Sequence, residues 1–322
     1  MKRLGDYLAL EGNIRILAFQ LVLSQIGFGM VYVIWQPYIL SSGITIVQLG
    51  IIQSAINLST GAGLIVWGHL SDRVGRRPVV IVAEICRLAA LVALLLAQNL
   101  ALFLVFAFLV GFSALWMQGN PARNAMVYES TDESSVGRAY STLSAVSQIT
   151  STVMASTGGY LALRLGYAPI FYVAIAGEMA GVVLMILLLR ETHHTSGSSE
   201  ASLSRGKGLV GSLLPERRNL NLYLLMAVMG FSYTTGYSIW YGTLVDDFGF
   251  NTLQLGILST SFNLGWALTS IPLGGFSDLY GRKKGLMASW VMAVTSTMGF
   301  ILSRSLPLFI LFQLVSALDI SF

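Results

Sequence analysis

Four ionisable side chains sit inside long apolar runs of this chain: Glu84, Arg87, Glu178 and Asp319. A charge in hydrocarbon is costly enough that each is a functional candidate by default. Glu84 and Arg87 are spaced i, i+3, so on a helix they share a face and can pair. Arg87 lies about 13 Å into its run at 1.5 Å per residue, and Glu178 falls at a similar depth in another run. Two chemistries suit such groups, a structural ion pair or a proton carrier. An internal Glu178–Arg87 bridge fits the pair best, whereas Asp319, with no basic residue on its own run, is the better proton or cation site. Little else in the chain could react. The single cysteine, Cys86, lies in an apolar run and excludes an intramolecular disulfide. His69, His193 and His194 neighbour no plausible nucleophile, and there is no H-E-x-x-H or G-x-x-x-x-G-K-[ST] sequence. We therefore expect no enzyme, no metal, no cofactor and no built-in ATP motor. The adjacent histidines lie in a polar stretch and read as solvated.

The other charged residues are concentrated in turns. Gly68-His-Leu-Ser-Asp-Arg-Val-Gly-Arg-Arg77 and Gly274-Gly-Phe-Ser-Asp-Leu-Tyr-Gly-Arg-Lys283 repeat one another 206 residues apart. Gly68, Asp72, Gly75 and Arg76 return as Gly274, Asp278, Gly281 and Arg282. Arg73 and Arg77 add charge to the first copy, Lys283 to the second. The echo continues in Gln48-Leu49-Gly50-Ile51 and Gln254-Leu255-Gly256-Ile257, in Asn57 and Asn263, and in Phe103 and Phe309. A repeat this long is a domain rather than a solenoid unit.

These residues must be held by membrane helices. Hydrophobic residues make up 55% of the 322 and charged ones 11%, with mean hydropathy +0.71. A soluble domain carries about 25% charged residues. Apolar runs longer than about 18 residues read as spanning helices, and backbone groups in lipid must be satisfied internally. The pattern predicts ten helices, near 14–38, 46–70, 78–98, 101–120, 139–163, 168–189, 220–244, 252–275, 284–303 and 306–322. Sixteen of the 19 Lys and Arg fall on the side of the N-terminus and the even-numbered loops, against Arg164 and Arg304 on the other side and Arg87 within a span. The positive-inside rule assigns the first side to the cytoplasm. The net charge of +4 thus reflects topology rather than a nucleic-acid partner. Residues 190–219, rich in Ser, Gly and charge, read as a cytoplasmic linker. The expected division is a six-helix bundle over 1–189, the linker, and four helices over 220–322, in the cell membrane.

The repeated turn resembles the signature G-x-L-a-D-r-x-G-R-k that follows the second helix of major facilitator superfamily transporters, with its weaker copy after the eighth. The resemblance implies two six-helix bundles around a central cavity, opened alternately to each side. It implies that Asp72, Gly75 and Arg76 latch the halves together on the cytoplasmic side, Asp72 facing a helix end of the other half. Gly75 and Gly281 permit a tight reversal with positive φ. There are departures. The arginine of the R-x-x-q-G pattern in the fourth helix of drug/proton antiporters is missing before Gly111, Met154-Ala155 replace the Gly-Pro of their fifth-helix motif, and the sugar-porter P-E-S-P-R is absent after helix six. A proton-driven drug antiporter of the usual kind is not expected. At the repeat offset Phe322 matches Trp116, so ten of the family's twelve helices are expected here, and the segment alone is expected to transport poorly.

In that fold helices one, four, seven and ten line the cavity. Gln25, Tyr32 and Gln36 share a face of the first, and Tyr233, Tyr237, Trp240 and Tyr241 a face of the seventh. An aromatic and amide lining suits an uncharged or amphipathic organic solute. Trp35 and Trp240, near helix ends, read as interfacial belt anchors. Arg123 and Glu129, in the loop after helix four, belong either to the same gate or to a solvated loop. The leading function is a secondary or facilitative transporter of a small organic solute, with a coupling proton or cation left open. The alternative is a non-transporting sensor or binding protein of the same fold.

Overall fold

The computed structural model describes residues 10–115, 119–132, 135–192, 220–280 and 282–321. Among them the chain forms α1 (Gly12–Ser41), α2 (Ile46–Val74), α3 (Arg76–Leu96), α4 (Leu100–Phe112), α5 (Pro121–Glu129), α6 (Val136–Leu165), α7 (Ala168–Leu188), α8 (Leu220–Tyr237), α9 (Trp240–Asp246), α10 (Thr252–Tyr280), α11 (Arg282–Leu302) and α12 (Leu306–Ser321). Most of the linker, 193–219, lies outside the described residues.

Two expected helices are broken. The run 101–120 stops at Phe112, where Ser113 Oγ donates back to the Val110 carbonyl and Ala114 takes φ 55°. The chain then restarts as α5, with Asn120 capping Ala122 N and Pro121 in the first turn. Asn followed by Pro is a helix-start signal, so the expected loop is a nine-residue helix. The run 220–244 breaks after Tyr237 and resumes at Trp240.

Among the described helices, five are long and apolar enough to cross a membrane by length and composition: Gly12–Ser41, Ile46–Val74, Arg76–Leu96, Ala168–Leu188 and Lys283–Leu302. The 30-residue α6 and 29-residue α10 have ample length at 1.5 Å per residue. Hydroxyl and amide side chains of the two face each other, Ser156 with Thr260 and Gln148 with Asn263. Large apolar side chains point outward, among them Leu58, Val153, Leu187 and Leu268, while Gln20, Glu84, Arg87 and Glu178 are buried. That inversion suits a lipid surround.

The repeat reappears as structure. Thr45 and Gln48 form a reciprocal capping box at the start of α2. Asn251 and Gln254 form the same box at α10, Gln254 N donating to Asn251 Oδ1 and Asn251 N to Gln254 Oε1. Such boxes satisfy helix-start donors that hydrocarbon cannot. Leu49 and Leu255, and Phe103 and Phe309, are all fully buried.

In the first group α1 packs along α6 and α7, α2 along α4, and α3 along α4 and α7; in the second, α12 packs along α10 and α11. The groups meet chiefly where α6 lies on α10, with α9 touching α1 and α2. Two apolar clusters result. One joins both groups, from Phe28, Trp35 and Phe106 to Tyr241, Leu255 and Phe309. The other, with Ile14, Trp67, Val79, Met126 and Met185, draws among the described residues on the first group. The second cluster lies at the end bearing the Gly68–Arg77 turn, called here the motif end; the first lies toward the far end.

Candidate functional site

The motif turn is built on Gly75, whose φ of 109° and ψ of 162° few side chains tolerate. A Cβ there would also press on the Glu191 carboxylate. Glu191 Oε1 accepts from Arg76 N at 2.9 Å and Oε2 from Arg77 N at 3.1 Å. A carboxylate on the free N–H groups of a helix start is favourable, and this one ties the end of α7 to the start of α3. Arg76 pairs with Asp72 and, through Nε, with Glu129 Oε1 at 3.1 Å. Its Nη1 donates to Ser71 Oγ at 2.8 Å. Thr192 Oγ1 donates to Glu129 Oε2 at 2.7 Å, and Arg77 Nη2 to the Ile186 carbonyl at 2.7 Å. The Asp72 side chain is 66% exposed and its ion pair is with Arg76 of its own turn. Arg73 is exposed, and a Cβ on Gly68 would rest against Pro121. In the second copy, Lys283 is exposed. Gly281, and the side-chain surroundings of Gly274, Asp278 and Arg282, lie outside the described residues.

Behind the turn, buried charges from three helices meet polar side chains of a fourth. Arg87 on α3 donates through Nε to Glu178 Oε1 on α7 at 2.9 Å and through Nη2 to Glu178 Oε2 at 3.1 Å. Nη2 also reaches Ser24 Oγ on α1 at 2.8 Å and Glu84 Oε2 one turn back. Ser24 Oγ donates to Glu178 Oε2 at 2.7 Å. Arg123, carried in by α5, reaches Glu84 Oε1 at 3.4 Å and Gln20 Oε1 at 2.9 Å. Phe28 lies under the Arg87 guanidinium, 5.3 Å from its carbon. Two arginines balance two carboxylates, as burial of charge requires. The spacing of Glu84 and Arg87 and the depth of Glu178 were readable from the sequence; the entry of Arg123 was not, because it depends on α5 folding back.

At the far end the two groups are sewn by neutral contacts. Thr252 Oγ1 donates to the Gly159 carbonyl at 2.8 Å. Ser156 and Thr260 hydroxyls are 2.7 Å apart, and Thr260 Oγ1 donates to the Thr152 carbonyl at 2.9 Å. Gln148 Nε2 donates to Asn263 Oδ1 at 2.7 Å. A Cβ on Gly159 would run into the Thr252 backbone, which explains a glycine where two helices approach closely. Gln36 spans the break in the seventh run: its Nε2 donates to the Ser238 carbonyl at 2.9 Å, and its Oε1 accepts from Gly242 N at 2.6 Å. Backbone groups freed by a break at membrane depth need such partners.

Other expectations are redrawn by the same break. Tyr237, Trp240 and Tyr241 do not share a face: Tyr241 meets Tyr32 of α1 edge-on, whereas Tyr237 and Trp240 pack on Phe300. Tyr237 Oη is also 3.3 Å from Thr297 Oγ1. The Tyr233 side chain lies outside the described residues. Gln25 is held by Ser147 and Ser151 of α6, at 3.0 and 3.1 Å. Trp35 is no belt anchor; it is 2% exposed and packs against Phe106 inside the first group. Trp240 likewise packs against Phe300 and Phe309. Asp319 accepts from Ser289 Oγ of α11.

Residues 17–318 match the Major Facilitator Superfamily. The chain belongs to that family. It is 23% identical over 248 residues to the multidrug resistance protein MdtG of Escherichia fergusonii, covering 76% of this chain and 60% of the relative. It is 28% identical over 265 residues to the uncharacterized MFS-type transporter YdgK of Bacillus subtilis, covering 80% and 64%. The chain thus spans about three fifths of the length of these curated relatives. Among solved structures, a nucleoside transporter NupG mutant superposes with a TM-score of 0.77 at 12% identity, over 97% of this chain and 80% of that one. That likeness shows the fold.

Proposed function

We propose that this major facilitator chain is a secondary or facilitative transporter that moves a small organic solute across the cell membrane by alternating access. The observation that carries the reading is the split core: one apolar cluster joins both helix groups toward the far end, while among the described residues the cluster at the motif end draws on the first group. A molecule closed in this way at one end suits a carrier caught open toward the motif end. We assign residues 1–189 and 220–322 to the two bundles and 190–219 to their linker. The motif end faces the cytoplasm, in keeping with the bias of basic residues toward it. Gly68, Asp72, Arg73, Gly75, Arg76 and Arg77, with Gly274, Asp278, Gly281, Arg282 and Lys283, form the gate elements of that side.

For the solute we propose an uncharged or amphipathic organic molecule. The amides, hydroxyls and rings of Gln25, Ser147, Ser151, Tyr32 and Tyr241 support this, because the charges of Glu84, Arg87 and Glu178 are sequestered inside the first bundle. Relatives named as multidrug resistance proteins make drug-like molecules the first panel to try. The test is counterflow in proteoliposomes holding the chain. Accumulation of a labelled solute driven by its unlabelled form is expected, and binding of solutes without exchange of any would instead make this a sensor.

A further inference from the structure

We infer that Glu84 is a proton-binding site and that α5 carries its protonation state to the motif turn. The inference rests on the transporter reading for its purpose but not for its geometry.

Each carboxylate in the buried cluster has a different hold on its neighbours. Glu178 accepts from Arg87 Nε, Arg87 Nη2 and Ser24 Oγ, all within 3.1 Å. Glu84 shares Arg87 Nη2 with Glu178, lies beside the Glu178 carboxylate, and otherwise has Arg123 at 3.4 Å. A proton on Glu178 would displace a short hydrogen bond at whichever oxygen took it. Neutralising Glu84 undoes one shared contact and one long one. Among the described residues, the groups facing Glu84 are Arg87 on its own helix, Glu178 from α7 and Arg123 from α5, with Gln20 and Ser24 of α1 alongside.

Charge balance determines the response. With both carboxylates ionised, two arginines are matched. A proton on Glu84 Oε1 leaves one buried arginine uncompensated, and such a charge is expelled where it can move. Arg87 is pinned to Glu178 by two hydrogen bonds. Arg123 is held by Glu84 and by Gln20 Oε1, and it is mounted on a nine-residue helix set apart from the spans by breaks at both ends. Arg123 is therefore the group that leaves.

Six residues on, at the other end of α5, Glu129 holds Arg76 of the motif turn and Thr192 after α7. A rigid helix of this length links the two sites across about 9 Å. Withdrawal of Arg123 must tilt α5 and strain the Glu129–Arg76 pair. Arg123 is the most exposed of the cluster's four charged members, so its side is the route assigned to the proton. The proton thus enters from the motif end, resides on Glu84, and loosens the turn that holds α2, α3 and α7 together.

The test uses the whole 322-residue chain in nanodiscs, with Cys86 replaced by serine and spin labels on cysteines at Tyr128 of α5 and Leu187 of α7, both exposed. Acidification between about pH 9 and pH 5, the interval that spans shifted carboxylates, should lengthen the Tyr128–Leu187 distance and raise an infrared carboxylic acid band. Glu84→Gln should show the long distance at every pH and lack the band, while Asp246→Asn, at an exposed carboxylate of the far end, behaves as the parent. A parent chain whose distance ignores pH overturns the inference even if no variant folds. So does a Glu84→Gln chain that retains the pH response. Counterflow without any proton-linked movement would sink this inference and leave transport standing; movement without counterflow would do the reverse.

Discussion

At the far end, α6 and α10 meet through hydroxyls, backbone carbonyls, glycines and one amide pair, and an apolar core runs through both helix groups. At the motif end, ion pairs join α2, α3, α5 and the residues after α7, all from the first group. The difference separates what moves from what travels. Neutral hydrogen bonds between small residues exchange partners without stranding a charge, so a seam made of them can part repeatedly. Ion pairs hold the helices of one bundle together, because breaking them in a low dielectric leaves an uncompensated charge, and only a change in protonation state releases one of them.

The largest expected effect comes from breaking that hold. Arg87→Leu strands Glu84 and Glu178 and should destabilise the chain by about 3–5 kcal/mol, read as a lowered thermal unfolding midpoint. Replacing Glu84, Arg87, Arg123 and Glu178 together with apolar residues should restore most of it. Gln36→Leu attacks the far end instead. It orphans the Ser238 carbonyl and the Gly242 N–H, at about 1–3 kcal/mol for each unpaired buried group. Gln36→Met, which fills the space with neither donor nor acceptor, should match the leucine variant in the same unfolding assay.

Two smaller changes sharpen the contrast. Gly159→Ala places a methyl against the Thr252 backbone and should cost about 1–3 kcal/mol by overpacking, with faster alkylation of a cysteine placed at Thr260. Gly256→Ala, whose Cβ would meet the Ala155 carbonyl across the same seam, should behave alike. Glu191→Ala removes an exposed cap from α3 and should cost only about 0.5–2 kcal/mol. Its effect should be additive with Gly159→Ala, since the two lie at opposite ends.

Much of this was legible from residue types because hydrocarbon leaves few options. Apolar run length marked the helices, the 206-residue echo marked the duplication, and the capping boxes at Thr45 and Asn251 sit where that echo begins. The Glu84–Arg87 spacing was local and could be read. What escaped was tertiary. The break after Tyr237 is sustained by Gln36, about 200 residues away in sequence, so no local pattern announced that Tyr241 and Tyr237 would face different helices. Trp35 carries the composition of a belt residue and is buried only because α4 brings Phe106 to it. Glu191 lies just beyond the end of its span, and nothing near it in sequence revealed that it would cap α3.

The central claim is that the two ends open in alternation about the α6–α10 seam. It is tested most directly by spin-label distances measured in one liposome preparation, between Ser41 and Asp247 at the far end and between Arg73 and Lys284 at the motif end. All four residues are exposed. Two populations are expected, one short at the far end and long at the motif end, the other reversed, and shifting their ratio should move both distances in opposite senses. A single fixed pair of distances, or two ends that lengthen together, would contradict it.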